Sequence, residues 1–243
     1  MSSKIHKWLA LLMVIQILFW FISGFFFAVV PIERVRSEHA VTKAPPVAIS
    51  LADASQGLGR VASLGAAPGE KIELRAMLGK PVALVSGGEA RPRLYDLASG
   101  RQLSPIPSSL AASIASRDYA AGGKPVKVEQ VTSESPEYRG ALPAWRVDFE
   151  GGTNRSIYVA ADTGAVTGRR STLWRVYDFL WSLHIMDFKN HEDFNTPLLI
   201  VATGLGLVII LTGVILFPSR LGYYAWRRRR QALRSAGPGA GSS

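Results

Sequence analysis

Four histidines, His6, His39, His184 and His191, carry the reactive chemistry of this 243-residue chain. A neutral imidazole offers a lone pair to a metal at one nitrogen and an N–H to an acceptor at the other, and it titrates near neutral pH. The chain has no cysteine, which excludes disulfides, thiolate catalysis, Cys-ligated zinc and iron–sulfur clusters within it. Nor does it contain HExxH, GxSxG, a phosphate-binding glycine loop or GxGxxG after a strand. Gly57-Leu58-Gly59 is too short to signify one. Asp187, Glu192 and Asp193 near His191 read as a helix end facing water, and no metal site is assigned to them. Catalysis by this chain alone is therefore not expected, and the histidines matter through whatever holds them.

His184 lies in the stretch Ser171–Phe217, which joins an aromatic-rich segment to an uninterrupted apolar run. From Leu198 to Phe217 there is no charge, and a helix needs about 20 such residues to cross a bilayer. Thr196 can cap that helix, and Pro197 suits its first position because the N–H it lacks would have no partner there. Before it, Leu173, Tyr177, Leu180, His184 and Phe188 recur at helical spacing, with Arg175, Asp178 and Ser182 as a narrow polar stripe. With Trp174, Tyr177 and Trp181 at headgroup level, residues 171–195 read as an interfacial amphipathic helix with a polar break around Asn190.

His6 precedes a second apolar run, residues 8–30, interrupted by Gln16, Ser23 and Gly24. It is too long for a signal peptide, and Phe25, Phe26 and Phe27 stand where cleavage needs small residues, so it reads as a retained anchor. Gln16 and Ser23 share a helix face that should meet another helix, and Gly206 and Gly213 offer the second span a close-packing seam. All 18 acidic residues lie between Glu33 and Asp193, whereas Lys4, Lys7, Arg220, Arg227, Arg228, Arg229, Arg230 and Arg234 occupy the tails. Basic tails flanking two spans mark cytoplasmic ends. Arg227 to Arg230, directly after Tyr223, Tyr224 and Trp226, read as a lipid anchor and not as a nucleic-acid site.

Between the spans, residues 31–46 read as a polar linker and 47–170 as one α+β domain. Ser50 and Asp53 can cap a helix running to about Ala62. Strands follow at Lys71–Met77, Val82–Val85 and Arg93–Leu97, the last closing at Gly100. The order then repeats: a helix capped by Ser108 and ended by Gly122-Gly123, a strand at Lys127–Val131, a strand with Trp145, Val147 and Phe149 inward, and a strand at Ser156–Ala160 before the Asp162-Thr163-Gly164 turn. Tyr95 ahead of Gly100 and Tyr158 ahead of Gly164 occupy similar places, so the domain reads as two degenerate repeats of one helix plus three strands.

The block AWRVDFEGGTNRSIYVAADTGAVTGRRS (Ala144–Ser171), the amino-terminal IHKWLALLMVIQILFWFISG, and LWSLHIMDF running into LTGVILF resemble the PepSY family, including its PepSY-associated transmembrane branch. The resemblance covers nearly the whole chain. It implies a bacterial inner-membrane protein with cytoplasmic tails at 1–7 and 218–243, transmembrane helices at 8–30 and 196–217, and the PepSY-like domain in the periplasm. It also implies kinship with ferric-siderophore reductases, which hold b-type haem through membrane histidines; this chain departs from them in having two spans instead of four or more. The family pattern falls on His6 and His184 as candidate haem ligands, with His39 and His191 weaker. In the plainer reading His6 is an interfacial positive residue, His39 and His191 are solvated loop residues, and His184 bonds to a carbonyl.

Geometry constrains the haem reading. About 23 helical residues at 1.5 Å each put His6 and His184 roughly 35 Å apart in level, too far to share one iron. His184 and His191, seven apart, would need a bend at Asn190. A homodimer or a partner membrane subunit would supply the second ligand at each level. The function expected is a non-catalytic accessory or haem-b electron-transfer component linked to iron or siderophore reduction. The alternative is a membrane-anchored PepSY module that inhibits or chaperones a periplasmic protease or other protein partner. A reporter active only in the periplasm should be silent after Ser243 and active between Gly122 and Gly123; strong activity after Ser243 would overturn the two-span topology.

Overall fold

The run Pro81–Val85 contains no polar residue, and a strand of that kind must be covered on both faces. In the structure, a computed structural model that describes residues 3–42, 48–63, 69–151, 154–220 and 226–231, it forms the middle of β2 (Lys80–Ser86). β2 lies between β1 (Lys71–Met77) and β3 (Arg93–Asp96) in an antiparallel sheet. The β1–β2 turn uses Leu78 and Gly79, both at positive φ, as a two-residue hairpin requires. Ala83 and Val85 pack with Tyr95, Leu97 and Val61 of α3 (Leu51–Ser63). Val82 and Leu84 turn the other way, into a core shared with α4 (Ser108–Asp118) and the second sheet.

α3 begins as its sequence dictates, with Ser50 Oγ accepting the Asp53 amide at 3.1 Å and donating to the Asp53 carboxylate at 2.6 Å. Gly57 lets it approach the sheet, because a Cβ there would fall 2.4 Å from Leu97 Cγ. That gives a packing role to a glycine whose motif means nothing chemically.

The second sheet has the order β4 (Pro125–Val131), β5 (Ala144–Phe149), β6 (Ser156–Ala160), β7 (Val166–Arg170), all antiparallel. Val147, Phe149, Ile157 and Val159 face Ala111, Ile114 and Ala115 of α4 in the shared core. Trp145 packs against the same core, its indole N–H donating to the Ile106 carbonyl at 2.9 Å. On the opposite face Tyr158 stacks on Tyr138 at 4.4 Å and 7°, and burial, with Glu137 adding to it, pushes the Tyr158 hydroxyl up to about 12.

Four sequence expectations are corrected here. β7 is a fourth strand where three were expected; its sequence, VTGRR, carries no apolar alternation, and besides its pairing with β6 it is held by its two arginines. Arg169 binds Asp118 with both ends of its guanidinium at 2.6 and 2.5 Å, while Arg170 donates to the Glu137 carbonyl and lies 4.1 Å from the Trp174 ring centroid. Ser108 does not cap α4: Pro107 occupies the cap position, without a side-chain bond. α4 ends at Asp118, before Gly122, because Tyr119 becomes extended to pair with Val41 and pack on Phe149. The stretch read as a polar linker is ordered over 32–42, in α2 (Ile32–Val35), a 3-10 turn at Glu38–Ala40 and a bridge that buries Val35 and Ala40. Of the expected segments, residues 1–2 of the first tail, 43–46 of the linker, Val47 and, in the basic tail, 221–225 and 232–243 lie outside the described residues.

The chain divides into two compact units, Phe27–Leu180, which holds both sheets, and Met1–Phe26 with Trp181–Ser243. α1 (Ser3–Val29) and α6 (Pro197–Arg220) account for most of the latter, and their stretches His6–Val29 and Pro197–Phe217 are long and apolar enough to cross a membrane. Thr196 opens α6, its Oγ1 accepting the Leu199 amide at 3.2 Å. The protein is thus a mixed α and β chain with antiparallel sheets and two apolar helices. Because residues of both sheets share one core, Leu94→Ala should cost about 2–5 kcal/mol. Amide exchange should then accelerate in β5 and β6 as well as in β2 and β3; acceleration confined to the first sheet would contradict the shared core.

Candidate functional site

The aromatic-rich segment forms α5 (Thr172–Ile185), opened by Ser171 Oγ, which accepts the Trp174 amide at 3.2 Å. Its polar stripe does not face water. Arg175 donates to Glu137, Ser156 and the Asn154 carbonyl, and Ser182 is 3% exposed. The large apolar side chains Val176 and Phe179 are exposed instead, at 43% and 60%. The stripe faces inward because Arg175 has a carboxylate and a hydroxyl to meet there.

The helix also ends earlier than the sequence suggests. Met186 takes a φ of 54°, and the carboxylate of Asp187 gathers the following loop, accepting the amides of Lys189 and Asn190 on one oxygen and of Glu192 and Asp193 on the other at 2.9–3.1 Å. Those four bonds hold the Asp187 pKa far below the usual carboxylate range, the Asp193 and Glu192 amides acting most strongly. The break is therefore at Met186 and not at Asn190, and Phe188 and His191 lie beyond the helix. Among the described residues no group of three or more His, Asp or Glu side chains is placed to hold a metal ion.

Any α-helix ends with carbonyls that have no partner of its own, and in the smaller unit α1 answers those of α5. Trp20 Nε1 donates to the His184 carbonyl at 2.8 Å and Gln16 Nε2 to the Leu183 carbonyl at a longer 3.4 Å. The imidazole Nδ1 of His184 lies 2.7 Å from Ser23 Oγ, which donates to the Phe19 carbonyl at 2.6 Å. The His184 ring runs nearly parallel to that of Trp181, at 8° and 6.4 Å between centroids. Trp181 in turn donates to the His191 carbonyl at 3.1 Å and meets Phe194 edge-on. Burial lowers the His184 pKa, so the imidazole is neutral at pH 7.

His6 is held in a similar way from the other apolar helix. Its Nδ1 lies 2.7 Å from Thr212 Oγ1, which donates to the Val208 carbonyl at 2.7 Å. Gly213 lies beside the ring, a Cβ there falling at an ordinary contact of 3.5 Å from His6 Cε1, and Gly206 sits against Trp20. The helices therefore run antiparallel along the glycine seam. His6 and Ser23, 17 positions apart on α1, are separated by about 26 Å along its axis. His6 and His184 thus occupy different levels of one unit. His39, exposed in the 3-10 turn, belongs to the other unit. His191 sits at a φ of 60° with its backbone tied to Trp181.

One imidazole at each level is too few for a metal held by protein alone, but a porphyrin supplies four nitrogens and asks only for axial ligands. His184 and His6 each offer an imidazole nitrogen, which fits that requirement, and Trp181 lies as an aromatic wall beside His184. Sequence reasoning marked Gln16 and Ser23 as a face meeting a helix. It passed over Trp20, which completes the 16, 20, 23 spacing of that face, and Thr212, a hydroxyl next to a seam glycine.

No curated protein and no solved structure matches this chain. The model of the PepSY-associated TM region matches residues 3–236, and over that length His6, Ser23, His184 and Thr212 all fall within it. The chain belongs to the family of the PepSY-associated TM region, and it is a membrane protein with two candidate spans.

Proposed function

We propose that this protein is a haem-b electron-transfer or accessory component of the bacterial inner membrane, serving the reduction of iron or of a ferric siderophore. The observation that carries this reading is His184, a neutral imidazole anchored by a hydroxyl in the apolar unit and flanked by Trp181. Haem b would supply a one-electron couple and needs no cysteine for attachment. The chain's residues would do the rest. His184 and His6 each offer one axial nitrogen, Trp20 and Ser23 hold α5 against α1, and the apolar side chains of α1 and α6 exclude water. A further ligand for a haem at either level would have to come from a second copy of the chain or from a partner subunit, as one chain brings one of these two histidines to each level. The charge pattern supports cytoplasmic tails, with the two sheets as paired PepSY-like repeats in the periplasm.

A second reading has its own observation. β4 hydrogen-bonds only to β5, and beside it lies a concavity of about 520 Å³ lined by Glu129, Glu137, Arg146 and Tyr158. An open strand edge next to a polar groove is a way to receive a peptide segment of another protein, which would suit a module that regulates a periplasmic enzyme. Absorbance separates the two. Protein purified from haem-replete cells should show a Soret band and a reduced-minus-oxidised spectrum that His184→Ala abolishes or alters. A spectrum unchanged in His184→Ala would remove the ligand assignment, and colourless protein in every preparation, co-purified complexes included, would leave the regulatory reading.

A further inference from the structure

The two histidines share a feature that neither sequence spacing nor family membership specifies. Each Nδ1 contacts a side-chain hydroxyl on another helix at 2.7 Å, and each hydroxyl is itself bonded to the carbonyl four residues before it: Ser23 to Phe19, and Thr212 to Val208. A hydroxyl has one hydrogen to give, and a carbonyl has none. At 2.6 and 2.7 Å from those carbonyls, the hydroxyl hydrogens of Ser23 and Thr212 are committed to them. The hydrogen between each hydroxyl oxygen and its imidazole must then come from the imidazole. We infer that Ser23 and Thr212 are positioning residues that fix His184 and His6 as the Nδ1–H tautomer, placing the lone pair of each ring on Nε2.

The consequence for a ligand follows from the chemistry of the ring. A metal takes the nitrogen that has no hydrogen, and the hydrogen bond made by the other nitrogen sets both the ring's orientation and its basicity. In each relay the chain of donors ends on a backbone carbonyl, which draws the Nδ1 hydrogen outward and makes Nε2 the stronger donor. Ser23 is 1% exposed, so water does not compete for the His184 bond. That the relay uses serine in one case and threonine in the other implies that only the hydroxyl matters. The role as iron ligand rests on the functional reading above; the tautomer stands without it.

The test reads the tautomer directly, in full-length protein without haem. Chain labelled with ¹⁵N-histidine is reconstituted in detergent, and its imidazole nitrogen spectrum is assigned with His184→Ala and His6→Ala. In the unmodified chain both rings should show a protonated Nδ1 and an unprotonated Nε2. Ser23→Ala should turn His184 mainly to the Nε2–H form and leave His6 unchanged, Thr212→Val should do the converse, and Ser23→Thr and Thr212→Ser should preserve the original form. An Nε2–H ring at either position in the unmodified chain overturns the inference there, as does a tautomer unmoved by loss of its hydroxyl. If an alanine or valine variant fails to fold, the unmodified chain and the conservative exchanges still decide. Protein that shows both Nδ1–H rings yet never takes up haem retains this inference and loses the functional reading; protein that binds haem through Nδ1 does the reverse.

Discussion

A helix that ends against apolar surroundings must find donors for its last carbonyls, because water is not there to supply them. α5 meets that constraint at residues 183 and 184, and α1 resolves it with Gln16 and Trp20, while Ser23 of the same helix meets the His184 ring. A bare carbonyl in such a place costs about 1–3 kcal/mol or more, so the polar residues of an otherwise apolar helix are there for a structural reason. Once Trp20 holds the His184 carbonyl, the His184 side chain has little freedom, and Ser23 takes up its Nδ1. The position of the imidazole is therefore set by the way the helix end is capped.

The same helix serves a second purpose further along. Its amino-terminal end places His6 against α6, where Thr212 provides a hydroxyl and Gly213 lies beside the ring. Two imidazoles are thus fixed at separate levels along α1, each by a hydroxyl on a helix other than its own. Packing and chemistry coincide here: Gly213 of α6 lies beside the His6 ring, and its neighbour Thr212 supplies the hydroxyl that the ring meets.

Much of the fold was legible where local chemistry decides it. The capping of α3 by Ser50, the opening of α6 at Thr196 and Pro197, and the bounds of β1 and β6 follow from residues within a turn or two of one another. What was hidden depends on distant partners. β7 has no apolar alternation and is held by Arg169 and Arg170 through Asp118, Glu137 and Trp174. The turns at 32–42 are polar in sequence, and they become ordered because Val41 finds Tyr119. The inward turn of the α5 stripe was not legible because sequence periodicity gives the sides of a helix without saying which one is covered. For the site, the histidines were visible as residue types, but their hydroxyl partners are separated from them by 161 and 206 positions, beyond any local pattern.

The claim on which the rest turns is that α1 receives the last turn of α5 at Ser23. The absence of native cysteine allows a clean measurement in native membranes. Ser23→Cys combined with His184→Cys, treated with a short bifunctional thiol reagent, should give a cross-link within one chain, whereas a control pair of Leu12→Cys with His184→Cys should not. If both cysteines of the first pair react singly with a small maleimide but no intrachain cross-link forms, α5 does not end against α1, and the placement of His184 is wrong.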